Sequence, residues 1–265
     1  MPTAPDEWWR RILTGDAPEL PLRQLRTLWR MLPDGPRCKF CYAPYHGIGA
    51  PLMRLLGKGP SRLTPQLCRQ CLDYASRHLG GAEIELSMLF ADVRGSTALA
   101  ESMSATAFGQ LISRFFATAS DVLIHSNALV DRLVGDQVIG LFVPGFAGAD
   151  HRGQAIRAAQ AMMRATGHGL PEGAWIPIGI GVHTGVAFVG SVGLDGQATD
   201  ITVLGDPPNV AARLASAAAA GEVLVSQAAF APGLGLEDAP TRSLALKGKS
   251  EEVIVSVLNV DDGQA

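Results

Sequence analysis

The chain has 265 residues, 47% of them hydrophobic and 18% charged, enough for one full enzyme domain and a smaller module with buried cores. No stretch approaches the roughly 18 uninterrupted apolar residues of a membrane-spanning helix, and the start carries Asp6, Glu7, Trp8 and Trp9 where a secretion signal would be apolar, so a cytoplasmic protein is expected. The net charge of −3 is unevenly divided, with 12 Lys/Arg against 6 Asp/Glu in residues 1–80 and 10 against 19 in residues 81–265; the basic first third reads as a solvated positive face, and no nucleic-acid partner is predicted.

In chain order, the first segment, up to about residue 32, reads as two short helices broken around Thr14 to Pro18. The second places Leu22, Leu25, Leu28, Trp29 and Leu32 at helical spacing, an apolar stripe that suggests packing on a partner surface, with core packing as the default explanation. A Pro- and Gly-rich stretch, 33–65, is interrupted by the apolar run Pro51 to Leu56. A helix-like segment from Leu67 to Leu79 then ends at Gly80-Gly81, read as a helix stop and linker. From Glu83 the pattern has period two, with Ile84, Leu86, Met88 and Phe90 on one face of a half-buried strand that ends at Asp92.

Ser104 to His125 is helix-like, and Ala128 to Val134 and Val138 to Val143 read as a hairpin around Gly135-Asp136-Gln137. An Ala-rich helix follows, Asp150 to Thr166, then strands Ile176 to Val189 and Ile201 to Leu204. A helix runs from Pro208 to Ala219, where Pro208 opens it without losing a needed donor. Strands Thr241 to Leu246 and Val253 to Leu258 close the chain's second part. This order fits an α+β sandwich with helices on one face of the sheet. Two domains are expected, a helical four-cysteine module over 1–80 and a catalytic domain over 81–260.

All four cysteines fall between Cys38 and Cys71. Cys38-x-x-Cys41 and Cys68-x-x-Cys71 are separated by 26 residues, two thiolate pairs that can complete a tetrahedral zinc site. Four thiolates also suit an iron–sulfur cluster, and the spacing leaves the two open, with reduced unliganded thiols as the bland alternative. His46 and His78 lie near enough in sequence to replace a ligand, although lone histidines are more often surface groups.

Three segments hold polar residues where a fold alone would not require them. Phe90-Ala91-Asp92-Val93-Arg94-Gly95-Ser96-Thr97 delivers a carboxylate from a strand into a tight turn that leads to a helix; such a turn can face an anion, and the carboxylate can hold a divalent ion bridging it. Val134-Gly135-Asp136 puts a second carboxylate at a hairpin tip, where Asp is also favoured for conformational reasons. Leu204-Gly205-Asp206-Pro207-Pro208-Asn209-Val210-Ala211-Ala212-Arg213 sets Asn209 and Arg213 four apart on one helix face.

Together with Leu246-Lys247-Gly248-Lys249 near the end, these blocks resemble, in order and spacing over about residues 83–258, the catalytic domain of class III adenylate and guanylate cyclases. The resemblance implies a ferredoxin-like βαββαβ sandwich of that type. It also implies that Asp92, with Val93, and Asp136 bind two magnesium or manganese ions, while Gly95, Ser96 and Thr97 border the nucleotide phosphates. Asn209 would orient the ribose, Arg213 would stabilise charge growing on the α-phosphoryl group, and Lys247 would contact the triphosphate. In this family each site is shared across a head-to-tail dimer, so a symmetric homodimer with two sites is implied.

Base choice is implied by two further positions. Family adenylate cyclases usually carry Lys four residues before the second metal Asp and guanylate cyclases Glu; this chain has Arg132. Arg offers only donors, which suit N1 of adenine and not the N1–H and amino group of guanine. Thr202, seven before Asn209, resembles a subclass of adenylate cyclases. ATP is therefore expected over GTP, with a pyrimidine triphosphate left open because cytosine also presents acceptors to Arg. The rival from another class is a cyclase-like scaffold that binds nucleotide without turnover.

Overall fold

The computed structural model describes residues 5–17, 22–31, 37, 38, 40–61, 67–194, 197–246 and 252–259. The elements in chain order are α1 (Pro5–Thr14), α2 (Leu22–Arg30), α3 (Ala50–Leu55), α4 (Arg69–Arg77), β1 (Gly80–Val93), α5 (Ser96–Ser102), α6 (Ala105–His125), β2 (Leu129–Val134), β3 (Gln137–Phe142), α7 (Pro144–Ala147), α8 (His151–Ala165), β4 (Ile178–Leu194), β5 (Gln197–Leu204), α9 (Asp206–Ala217), β6 (Glu222–Ser226), β7 (Thr241–Leu244) and β8 (Val253–Asn259). The chain divides into two compact units. One comprises 1–85, 143–149 and 186–205, and the other 86–142, 150–185 and 206–265. Among the described residues no helix is long and apolar enough to cross a membrane.

In the first unit, Trp9, Ile12 and Leu13 of α1 are buried, and the Trp9 indole N–H donates to the His78 carbonyl at 2.7 Å. On α2, Leu28 of the expected stripe is 53% exposed and Trp29 half-buried, while Arg26 is 1% exposed; the side chains of Leu22 and Leu25 lie outside the described residues. The helix turns a cation inward because aromatic rings and a carbonyl receive it, as described below. Leu32 lies outside the described residues. Gly80-Gly81 is not a linker but the first two residues of β1. A Cβ on Gly81 would come within 2.4 Å of the Val189 carbonyl oxygen, so the absence of a side chain is what lets the two backbones approach.

In the second unit the sheet runs in the order β2-β3-β1-β4-β6-β8-β7. Strand β1 lies antiparallel to β3, with Asp92 opposite Gln137, and β4 lies parallel to β6 through Ile180, Gly181 and Val182. The period-two reading holds only at the start of β1, since Leu86 to Ala91 are all buried. Helix α6 begins where sequence places it: the Ser104 side chain caps the first turn by accepting from the Ala107 N–H at 3.2 Å. Asp150 caps α8 in the same way. Helix α9 starts two residues earlier than expected, so Pro207 and Pro208 both sit in the first turn, where no backbone donor is needed. Its inner face, Val210 and Leu214, packs with Leu224, Val255 and Val257 in one buried cluster. Strand β6, with Val223, Leu224 and Val225 buried, was not anticipated from sequence.

Candidate active site

Asp92 occupies the last ladder position of β1 and Asp136 the two-residue turn between β2 and β3. The Val93 N–H donates to the Asp136 carbonyl at 3.3 Å, which pins the hairpin tip beside the strand end. Burial pushes the Asp92 carboxyl above the usual aspartate value; the Arg94 charge opposes this, and the charge of Asp136 adds to it. Two carboxylates distant in sequence therefore share one electrostatic environment at the end of β1.

Arg94 is the residue that sequence reasoning passed over. Its guanidinium forms an ion pair with Asp92, with side chains 21% and 17% exposed, and donates to the Ser216 carbonyl at 2.8 Å. Its Nε is buried with no hydrogen-bond partner among the described residues. Arginine two positions after a strand-end carboxylate was visible in the sequence, but only the fold shows that it turns back onto that carboxylate. The all-oxygen donor set of Asp92, Asp136 and the Val93 carbonyl fits a hard divalent cation, and Arg94 now supplies positive charge at the same carboxylate.

The turn after Asp92 is built for tightness. Gly95 has φ of 66°, and no atom lies within 4 Å of where its Cβ would be. Ser96 and Thr97 open α5 directly after it, half-buried and exposed respectively. On α9, Asn209 is exposed and Arg213 half-buried, while Val210 and Leu214 are buried. Asp92, Val93, Arg94 and Asp136 meet at the end of β1. Thr202 is buried on β5 opposite Gly190, in the first unit. Arg132 lies on β2, but its side chain is outside the described set, and Lys247 is outside it altogether.

The first unit holds a second cluster. Cys38, Cys41, Cys68 and Cys71 place their sulfurs within 4.8 Å of one another. Burial pushes the Cys38 thiol up, but hydrogen bonds from Cys41, Cys68 and Cys71 outweigh it and hold Cys38 well below the usual thiol value.

The family model described as the adenylate and guanylate cyclase catalytic domain matches residues 82–257, more than half of the chain. The chain belongs to the class III adenylate and guanylate cyclase family. Among solved structures, this chain is 30% identical to the adenylyl cyclase CyaB from P. aeruginosa, with a TM-score of 0.56 over 68% of this chain and 97% of that one. The guanylyl cyclase Cya2, at 23% identity and a TM-score of 0.57 over 68% and 93%, shares the fold. An adenylate cyclase of Anabaena cylindrica is 30% identical over 141 residues, 49% of this chain and 26% of its own length. An uncharacterized Mycobacterium tuberculosis protein is 33% identical over 136 residues, 51% of this chain and 23% of its own length. The chain thus spans about a quarter of the length of these sequence relatives.

Proposed function

We propose that this cyclase converts ATP into 3′,5′-cyclic AMP and pyrophosphate at two equivalent sites of a homodimer, with residues 81–260 as catalytic domain and 1–80 as an accessory module. The observation that carries the reading is the meeting of Asp92 and Asp136 at the end of β1, with a cation already drawn to Asp92. Asp92, Asp136 and the Val93 carbonyl would hold magnesium or manganese, which would supply positive charge to ease deprotonation of the ribose 3′-hydroxyl and to neutralise the departing phosphates. The 3′-oxygen forms a bond to the α-phosphorus, the bond to the β-phosphate oxygen breaks, and the hydroxyl proton passes to water.

The remaining roles fall to side chains of the chain itself. Gly95, Ser96 and Thr97 admit the phosphates to the turn after β1. Asn209 hydrogen-bonds the ribose to fix the attack direction, and Arg213 stabilises charge growing on the α-phosphoryl oxygens. Lys247 contacts the triphosphate. Arg132 donates to N1 of adenine, and Thr202 completes the base contact. Asn209 is exposed, where a second subunit can reach it.

Mixing Asp136→Ala with Asn209→Ala protein tests the shared site. Each variant alone is expected to be inactive, while random reassociation makes half the dimers mixed, each with one intact site of two, restoring about a quarter of parental activity. No recovery with both variants folded and dimeric refutes the shared site. Incubating the parent with manganese and each of ATP, GTP, CTP and UTP, with products identified by mass, tests the base assignment. Faster turnover of any other triphosphate overturns it, and no turnover of any favours the scaffold.

A further inference from the structure

We propose that Cys38, Cys41, Cys68 and Cys71 hold a single zinc ion as a closed structural site, with the buried Arg26 as its counter-charge. The claim stands apart from the cyclase reaction. A tetrahedral ion with Zn–S bonds of about 2.3 Å separates its sulfurs by about 3.8 Å. The Cys41 and Cys68 sulfurs are 3.8 Å apart, and all four lie within 4.8 Å of one another. That spacing is far beyond a disulfide bond of about 2.05 Å. It is also too tight for an iron–sulfur cluster, which interposes several irons and inorganic sulfides between the cysteine sulfurs. One ion fits.

The backbone around the sulfurs is arranged as a metal knuckle requires. The Cys68 N–H points to the Cys38 sulfur at 3.3 Å, and the Cys71 N–H to the Cys68 sulfur at 3.4 Å, donors that favour thiolates over thiols. The first knuckle is closed by the Tyr42 N–H on the Cys38 carbonyl at 2.9 Å and the Cys38 N–H on the Ala43 carbonyl at 3.0 Å. Tyr42 follows the second cysteine with φ of 63°, a left-handed conformation that a residue with a Cβ holds only where its surroundings impose it. Cys38, Cys41 and Cys68 are no more than 1% exposed and Cys71 is half-buried, and with all four positions taken by sulfur the ion keeps no open coordination position, as in structural rather than catalytic zinc sites.

Arg26 supplies what such a centre needs. Four thiolates and one zinc ion carry two net negative charges in a buried place. The Arg26 guanidinium carbon lies 3.6 Å from the Tyr42 ring centroid and 4.3 Å from that of Phe146. It donates to the Phe40 carbonyl, inside the Cys38–Cys41 knuckle, at 2.6 Å. Burial opposes the charge most; Tyr42, then Cys41, Cys38 and Cys71, favour it. The inward turn of α2 thus sets an obligate cation beside the proposed anionic centre.

The full chain, purified under reducing conditions without added metal, is expected to carry one zinc per chain by mass spectrometry and no acid-labile sulfide. Exchange with cobalt(II) should give the intense ligand-field bands of a tetrahedral thiolate site. Iron with labile sulfide, a single iron, or no metal with four readily titrated thiols each overturns the proposal. These readouts need no variant, so they stand even if Cys38→Ser fails to fold. For the counter-charge, Arg26→Met is expected to release zinc to a chelator about tenfold faster or more, with Arg26→Lys in between; release at the parental rate in a folded Arg26→Met protein refutes that part.

Discussion

Replacing Arg94 with Ala tests whether the carboxylate pair is a cation site. Arg94 makes an ion pair with Asp92, their side chains 21% and 17% exposed, and a hydrogen bond to the Ser216 carbonyl at 2.8 Å. A charge-assisted hydrogen bond contributes about 1.5–3 kcal/mol, and stranding one member of a fully buried pair costs about 3–5 kcal/mol. Partial exposure lowers the second figure, while the nearby Asp136 charge, now unopposed, raises it. A loss of about 2–3 kcal/mol in EDTA follows, or about 5–10 °C in Tm for a domain of this size. Saturating manganese restores the missing positive charge at Asp92 and Asp136, and in the variant it does so without displacing a guanidinium. The Tm deficit should therefore shrink by at least about half when EDTA is exchanged for manganese. The same rescue should vanish in Arg94→Ala combined with Asp92→Asn. Thermal unfolding followed by circular dichroism in the two buffers decides it: an equal deficit in both, or no deficit in EDTA, refutes the idea that Arg94 stands in for a cation at a metal site.

Two further perturbations probe the framework that carries the site. A Cβ on Gly181 of β4 would lie 2.4 Å from the Ala215 nitrogen and 2.5 Å from the Ala211 oxygen, both backbone atoms of α9 that cannot yield as a side-chain tip would. Gly181→Ala should therefore cost about 2–3 kcal/mol, at the upper end of overpacking, and a denaturant midpoint unchanged from the parent would contradict the close approach. Glu222 of β6 is held below its ordinary value first by hydrogen bonding to Arg242, at 2.8 Å. A depressed carboxylate pKa contributes stability above the unfolded value of 4.5 and loses it as pH falls through the folded value. With Arg242 43% exposed, screening limits the contribution to about 1 kcal/mol or less. Glu222→Gln should lower stability at neutral pH by that amount and flatten the decline on acidification; parallel pH profiles would rule the pair out as a contributor.

The parts of this chain legible in sequence were those written by local chemistry. Ser104 and Asp150 announce α6 and α8 because a capping side chain acts within three residues. The Gly135-Asp136 turn announces the hairpin for the same reason. What escaped depends on distant partners. Gly80-Gly81 looks like a helix stop until Val189 and Gly190 are seen against it, and the β6 run of Val223 to Val225 is too short to separate from other apolar triplets without its β4 and β8 neighbours. On α2, hydrophobicity alone ranks Leu28 above Arg26 for burial, whereas tertiary structure leaves Leu28 exposed and buries the arginine under aromatic rings.

Arg26 and Arg94 share one physical logic. An arginine is buried or half-buried in each unit beside a set of groups able to carry negative charge: four cysteines in one, two carboxylates in the other. Their geometries call for different chemistry. Arg26 is enclosed by Tyr42 and Phe146 and bonded to a carbonyl of the cysteine knuckle, so it can persist alongside a bound ion. Arg94 makes its ion pair directly on Asp92, so a divalent ion there must compete with it. Arg26→Met should therefore loosen metal in its unit, whereas Arg94→Ala should tighten manganese at the carboxylates. If both substitutions shifted metal affinity in the same direction, the distinction between a supporting and a competing cation would fail.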